Sequence, residues 1–508
     1  MSAPSEPEKY SIDDMMDRLK SRPAEDPIEN GELVTRADGS QAIRVRKKKR
    51  RSQQPHKEER KNQRRARMIQ VSGGLILLLL ALFCAGFAIA FANSAPFRER
   101  LVKKCTLSSG ADIEMQQFRM NPTSANATTL AFTWPGGNVL DNLTLRGIKA
   151  EISPVSFLGK SMTGETVGAG EGTLTLRIPQ PDQPSRAVPA TDGILPIRFK
   201  HYAIQKFHLV IGDPAAPKIR MRNSEATFIP HNPTERPQLL LNRGEITVNG
   251  WPKLRMDRSH IEFRDNEADI IGMRLKHETD NKGVFELSGT VSPYATDRAS
   301  TLAVQLDSFL VSGIAGPQIG RLFSGRINTL PSATSNYLSF TPGPDPASSL
   351  SLNFGNALAS PFEVNGFPFL FGLSQTLDDE WFSRPVFDHE IRGILRRADG
   401  NISIGDLNLE SRGRMALRGS VAMTSDQRLS GELEIGIAEG MINSSGNRRL
   451  NGMFSPSKEG FRWLSLKISG TAATPADNFK DLYDSAAVMI KPAPASGIPS
   501  FEELTRPK

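Results

Sequence analysis

The sequence predicts a mainly β protein: an N-terminal single transmembrane helix, then a long curved antiparallel β-sheet forming a groove, with a few short helices. Three observations predict it. One uncharged apolar run, Val71 to Ala92, stands alone in the chain. Beyond it, apolar residues recur at every second position over some 360 residues. A short phrase, apolar-x-apolar-x-Gly, punctuates those alternating stretches.

The run VSGGLILLLLALFCAGFAIAFA has the length to cross a bilayer. Twenty-two residues at about 1.5 Å each cover roughly 33 Å, against about 30 Å of hydrocarbon. A buried helix of a globular domain would keep a polar face, and this one has none. Ala90-Phe91-Ala92 fits a small-x-small cleavage rule, but the long preceding segment and long apolar core favour an anchor that is retained.

Charge sets the orientation. Residues 1–70 hold 18 Lys/Arg against 12 Asp/Glu, which leaves 45 against 43 for the rest of the chain. The basicity therefore belongs to the tail, concentrated in Arg44 to Arg51 and Lys57 to Arg67. Past the span stand only Arg98, Arg100, Lys103 and Lys104. Positive residues stay inside, so residues 1–70 form a basic, largely disordered cytoplasmic tail and the bulk is exported. No aromatic residue is interleaved with the basic run, which reads as a topology signal touching anionic headgroups and not as a nucleic-acid site. Tyr10 to Lys20 reads as a short amphipathic helix with Ile12, Met15, Met16 and Leu19 on one side. It is either a docking peptide or a marginal helix in the disordered tail.

Strands follow from period two. Leu174, Leu176 and Ile178 alternate with polar residues, as do Ile246 and Val248, Phe285 and Leu287, and Leu302, Val304 and Leu306. The pattern continues through Ile402 and Ile404, Leu407 and Leu409, Leu433, Ile435 and Ile437, and Leu464, Leu466 and Ile468. Parity slips at Gly405-Asp406, which predicts a bulge or tight turn. The glycine phrase ends at Gly147, Gly289, Gly393, Gly419 and Gly470, where a strand interior is free to bend. Composition divides the exported part into a β-rich half (93–328), a Pro- and Ser-rich linker (329–349), a second β-region (350–475) and a short helix with a Pro-rich tail (476–508). A helix is expected over Leu373 to Arg384, ending before Pro385, and another over Asn478 to Ile490.

Catalytic chemistry is not expected. Cys84 and Cys105 are poorly placed to bridge, and the seven histidines have no HExxH or CxxC neighbourhood. There is no phosphate loop, no dinucleotide fingerprint and no GxSxG elbow. Asp378-Asp379-Glu380 point different ways on a helix and read as a solvated face. We expect no enzyme, no metal site and no cofactor.

Residues 388–475 resemble the AsmA-like family of bacterial envelope proteins. The likeness rests on Asp399-Gly400, Asp406-Leu407, Gly419, and Gly470-Thr471 with Pro475, within IRGILRRADGNISIGDLNLESRGRMALRGSV and GFRWLSLKISGTAATP. Residues 283–327 and the single span followed by strands are similar too. The long basic tail and modest length depart from that pattern. The resemblance implies an inner-membrane, single-pass protein whose periplasmic β-groove handles phospholipids for the outer membrane. Its partners would be inner-membrane lipids and envelope proteins completing a bridge, with no nucleic acid. A bent sheet with one apolar face must close, be covered or hold a ligand. The expected lining is Leu174, Leu176, Phe285, Leu287, Val304, Leu306, Leu417, Val421, Leu433, Ile435, Leu466 and Ile468. The rivals are a closed, dry envelope scaffold or secretion/pilus accessory, and a transmembrane signalling protein working through the Tyr10–Lys20 helix.

Overall fold

The computed structural model describes residues 32–44, 75–153, 162–178, 197–230, 235–264, 267–293, 295–331, 336–343, 347–357 and 360–489. The Tyr10–Lys20 helix, most of the basic run, Val71, the 179–196 loop and the Pro-rich tail lie outside them. The chain divides into two compact units, Met1–Cys84 and Ala85–Lys508. In the first, Glu32–Thr35 and Gln41–Arg44 form an antiparallel hairpin, within the segment expected to be largely disordered. Asp38 makes its turn by accepting from the Ser40 amide (3.2 Å) and hydroxyl (2.9 Å), and Gly39 supplies a φ of +80°.

Helix α1, Leu75–Ala92, has a mean hydropathy of 2.8 and is apolar enough to cross a membrane. Asn93 follows it and clamps the chain. Its Nδ2 donates to the carbonyls of Ile89 (2.8 Å) and Met120 (2.7 Å), and its Oδ1 accepts from the Met120 amide (2.7 Å). Helix α2, Ala95–Ser109, starts at a proline and stops at Gly110, whose left-handed φ of +67° returns its amide to Thr106.

The protein is mainly β. The principal strands are β1 (Asp112–Gln116), β2 (Ser124–Thr133), β3 (Leu140–Ile152), β4 (Met162–Leu176), β5 (Ile197–Ile211) and β6 (Ile219–Ile229). They continue with β7 (Gln238–Asn242), β8 (Glu245–Val248), β9 (Leu254–Arg264), β10 (Glu267–His277), β11 (Val284–Val291) and β12 (Ser300–Asp307). Then come β13 (Tyr337–Phe340), β14 (Ser348–Asn356), β15 (Glu390–Ala398), β16 (Asn401–Ser411), β17 (Met415–Met423), β18 (Leu429–Ala438), β19 (Phe461–Gly470) and β20 (Pro475–Asp477). Neighbours in the sheet follow sequence order almost throughout. One pair departs from the antiparallel expectation: β4 and β5 run parallel for their whole length, Met162 opposite Ile197 to Leu176 opposite Ile211. Parallel strands need a long return connection, and residues 179–196 supply it.

Local circuits exist in the pairing, because β6 contacts both β7 and β8, and each of these also pairs β9. They arise because β7 and β8 are one line interrupted at Arg243-Gly244. No ladder among the described residues joins β20 back to β1, so we read a ribbon with two ends and not a closed barrel. The segment expected as a linker, 329–349, contains β13, which pairs both β12 and β14 and carries the sheet through.

Bulges recur from strand to strand along a staggered line, the one at Met256/Arg258 facing Leu275 and Arg274, next to the Ile270/Met273 shift. Register shifts lie at Ile204/Phe207 in β5, Met256/Arg258 in β9, Ile270/Met273 in β10 and Ile404/Leu407 in β16. Left-handed or glycine-only φ values mark the same line at Gly147, Asn223, Arg243, Gly289, Asp406 and Gly419. Each bulge turns the strand without turning its side chains to the wrong face, so one face stays apolar on both sides of the bend. The glycine phrase and the expected slip at Gly405-Asp406 belong to this line.

The helices gather late in the chain. They are α3 (Ser312–Leu322), α4 (Pro368–Leu377), α5 (Glu439–Ser444), α6 (Arg448–Met453) and α7 (Phe479–Met489). Helix α4 begins at Pro368 and not at Leu373, because proline suits the first turn. It ends at Asp378 (φ +53°), before a 3₁₀ turn over Glu380–Ser383 whose amide at Trp381 is capped by Asp379. A small sheet of Phe323–Ser324, Phe362–Val364 and Val386–Phe387 lies with them.

Candidate functional site: an apolar sheet face with an open and a sealed part

Register places the inner-face residues in rows that cross the ribbon. One row runs Ala125, Ala150, Val167, Tyr202, Phe228, Leu239, Ile261 and Ile270, each directly opposite the next. A second, beyond the bulge line, runs Ile113, Phe132, Leu143, Leu174, Leu209, Met221, Ile246 and Leu254. A third, shorter, joins Leu140, Leu176, Ile211, Ile219 and Val248. Apolar side chains stacked across strands in this way form a continuous oily strip.

The strip is covered unevenly. Leu417, Leu433, Ile435 and Leu466 are wholly buried, Val421 and Ile468 nearly so. They share one core with Ile314, Ile319, Phe369, Leu373, Leu450 and Phe479 from the helices. Phe285, Leu287, Val304 and Leu306 are buried to within a few per cent in the same core. Ten of the twelve expected lining residues therefore sit in dry packing, without free surface. Leu174 and Leu176 alone lie on the half-exposed stretch. Around them Val167, Ile204, Leu209, Leu239, Ile246, Ile261 and Ile270 are also half-buried, and Phe228 is 36% exposed. Among the described residues no helix intervenes between β1 and β12.

Where α1 ends, the strip has its own small core. Ala92 packs with Met120, Ala125, Ala150, Ile152 and Phe199, and Phe97, Val167 and Tyr202 lean on it. An aromatic series leads away across the strands: Phe199 to Tyr202 (6.2 Å between centroids), Tyr202 to Phe228 (6.2 Å), Phe228 to Phe263 (6.5 Å). Burial pushes the Tyr202 phenol up from its ordinary range. The other end of the open stretch is stopped by Arg397 on β15, 7% exposed. It donates to the carbonyls of Ile314 (2.8 Å) and Gly250, and its guanidinium lies 4.7 Å from the Trp251 ring centroid. Burial without a carboxylate partner lowers its pKa. One arginine thus holds the β8–β9 turn, the start of α3 and the inner face of β15 together.

Sequence reasoning missed Tyr202, Ile204, Leu209, Phe228 and Phe263, and the reason is physical. Strict alternation puts Tyr202 and Leu209 on opposite faces; the bulge at Gln205-Lys206 returns them to one. The signal was the consecutive polar pair Gln205-Lys206, which is how a bulge reads in sequence, although Lys200-His201 in the same strand reads alike. Among the described residues no group of three or more His, Cys, Asp and Glu is arranged to hold a metal. Asp379 caps a turn and Arg414 lies 3.7 Å from it, so that acidic stretch is engaged structurally. No family model, no curated protein and no solved structure matches the chain.

Proposed function

We propose that this is an inner-membrane-anchored periplasmic protein that holds phospholipid acyl chains on the open stretch of its apolar sheet face, in the manner the AsmA-like resemblance implies, and is not an enzyme. The reading rests on one observation: the half-buried rows begin against Ala92 at the end of α1, where Phe97 of α2 leans on them, and run on across β2 to β10, where no helix of the described residues is interposed between β1 and β12. A hydrocarbon tail leaving the membrane beside α1 would meet Tyr202 and Phe228 first, then Leu209 and Leu174. Each buried methylene contributes about 0.8 kcal/mol, so a few along the strip suffice for retention. The headgroup would stay in water. The sealed half would act as a packed end wall fastened by Arg397.

The test is lipid analysis of the full-length protein purified in a mild detergent. Phospholipid should co-purify, and Leu209→Asp and Tyr202→Asp should release it while thermal unfolding stays near wild type, because these positions are half-solvated. Leu306 and Ile435 would be poor choices, being 2% and 0% exposed, since a charge there would unfold the core. Lipid-free wild-type protein, or variants retaining lipid unchanged, would leave a tethered envelope scaffold. The dryness of β15 to β19 favours that second reading for the C-terminal half by itself.

A further inference from the structure

The face of the sheet turned away from the apolar strip carries a second feature. A cavity of about 850 Å³ lies over β7, β9, β10, β11 and β12, walled on one side by Leu330, Pro331 and Asn336. Its floor is a cross-strand row in which each residue is opposite the next: Asn242, Arg258, Arg274, Glu286 and Gln305. Arg258 and Arg274 thus face each other directly on adjacent antiparallel strands. Like charges so placed destabilise a sheet unless something neutralises them.

Glu286 serves only one of the pair. Its carboxylate lies 2.8 Å from Arg274 Nε, but the N–H is not aimed at it and makes no hydrogen bond. The Arg258 side chain makes no ion pair or hydrogen bond among the described residues. Elsewhere on this face Arg243 pairs with Glu225, Lys276 with Asp257 and Arg298 with Glu267. Beside the arginines, His260 Nε2 is buried without a hydrogen-bond partner, 3.8 Å from Glu262. The rim is held in place. Asn336 donates from Nδ2 to the Leu330 carbonyl (2.8 Å), accepts at Oδ1 from the Asn353 amide (2.7 Å), and its carbonyl accepts from Val304 N (3.0 Å). Thr329 Oγ1 accepts from Leu306 N (3.1 Å).

We propose that this cavity is a binding site for a phosphate group carried on a partly apolar molecule, with Arg258 and Arg274 sharing the phosphate oxygens. Two guanidiniums at directly opposed positions of neighbouring strands concentrate charged donors at one place, and a phosphate, with more acceptor oxygens than a carboxylate, is suited to accept from both. With Glu286 counted, the row keeps one net positive charge, the complement of a phosphodiester. The volume far exceeds one phosphate, and Leu240, Ile271, Leu330 and Pro331 offer apolar wall to the remainder. Because the sheet separates this cavity from the acyl-binding strip, the site stands whether or not that strip holds lipid.

The experiment follows thermal unfolding of the full-length protein at low, phosphate-free ionic strength, in detergent for the soluble probes and reconstituted into vesicles with and without phosphatidylglycerol for the lipid probe, with Arg258→Gln and Arg258→Glu beside wild type. Probes are inorganic phosphate, glycerophosphoglycerol and phosphatidylglycerol vesicles. Relief of repulsion should raise the unfolding midpoint of both variants without ligand, Arg258→Glu more, since it would pair with Arg274. Wild type should gain at least 3 °C with saturating glycerophosphoglycerol, and both variants should lose that gain. A gain with the soluble diester identifies a free phosphate ester as ligand, and a gain with vesicles alone identifies a membrane headgroup. If no probe shifts wild type, or if Arg258→Glu responds as wild type does, the site is refuted.

Discussion

Replacing Gly419 by alanine tests whether the line of bulges shapes this sheet. Gly419 lies opposite Leu433 on β18 and has a φ of +130°, where side-chain-bearing residues are strained by about 1–3 kcal/mol. A Cβ there would overlap the carbonyl oxygen of Glu432 and stand 3.0 Å from Leu433 Cα. The neighbours cannot give way cheaply, because Leu417, Leu433 and Ile435 are fully buried around it. Forcing a methyl into such packing costs about 1–3 kcal/mol more. The two together come to about 4 kcal/mol, which for a unit as large as Ala85–Lys508 lowers the unfolding midpoint by roughly 5 °C. Gly405 is the control: an added Cβ meets nothing within 4 Å and its φ is ordinary, so Gly405→Ala should fall within about 1 kcal/mol of wild type. The assay is thermal unfolding of both full-length variants followed by far-UV circular dichroism. Equal midpoints for the two alanine variants would mean the bend does not depend on glycine, and the reading of the repeated phrase would fail.

Two further outcomes test individual contacts. Asp280 accepts two hydrogen bonds from Arg326 (2.7 and 3.0 Å) and one each from the amides of Lys282 and Gly283, and Arg326 holds its carboxyl well below the usual range. A folded pKa below the unfolded value near 4 contributes stability that is complete above that value and is lost as pH falls beneath it. Asp280→Asn should therefore cost about 2 kcal/mol at pH 7, with the gap to wild type narrowing between pH 5 and 2 in unfolding midpoints; a gap unchanged at pH 3 refutes it. Burial pushes the Cys105 thiol up to about 11. In a Cys84→Ser background it should react with a thiol reagent at pH 8 roughly a hundredfold slower than in the unfolded chain, and labelling at the unfolded rate would contradict that.

How much of this was legible in the sequence depends on what each feature requires. The apolar helix and the β character follow from local pattern, because hydropathy and period two act over a few residues. Leu433 and Ile435, or Leu464 and Leu466, announce their strands without reference to anything distant. The slip at Gly405-Asp406 was legible for the same reason, since a bulge is a local break in parity. What covers a residue is not local. Leu417 and Leu174 have the same alternating surroundings, yet one shares a buried core with helix residues as distant in sequence as Ile314, Phe369 and Phe479, and the other stays half-buried. The parallel pairing of β4 with β5 depends on a return loop whose composition specifies no direction. The juxtaposition of Arg258 with Arg274 exists only once register is known, and a bulge within β9 sets that register.

Composition explains why the open stretch stays open. The inner positions of β17 to β19 are filled by Leu, Ile, Val and Met, and the helices opposite contribute Phe369, Leu373 and Phe479, so large faces large and the volume closes. Strand β4 instead reads MTGETVGAGEGTLTL, with glycine or alanine at most inner positions before Leu174. At Gly172 the side chains of Ile204 and Leu145 already lean in to 3.0 Å of where a Cβ would stand, filling what a larger residue would occupy. The small residues of β4 thus leave the strip there to be made by the Leu, Ile and aromatic side chains of the neighbouring strands, which stay half-buried. Among the described residues no helix stands between β1 and β12 to cover it. Under the proposed function lipid would be the occupant, because acyl chains adapt to an irregular apolar wall. Enlarging a small residue of β4 therefore discriminates between storage and scaffold: Gly172→Ala should reduce lipid held per molecule if chains lie there, and should leave a dry scaffold indifferent to everything except a small loss of stability.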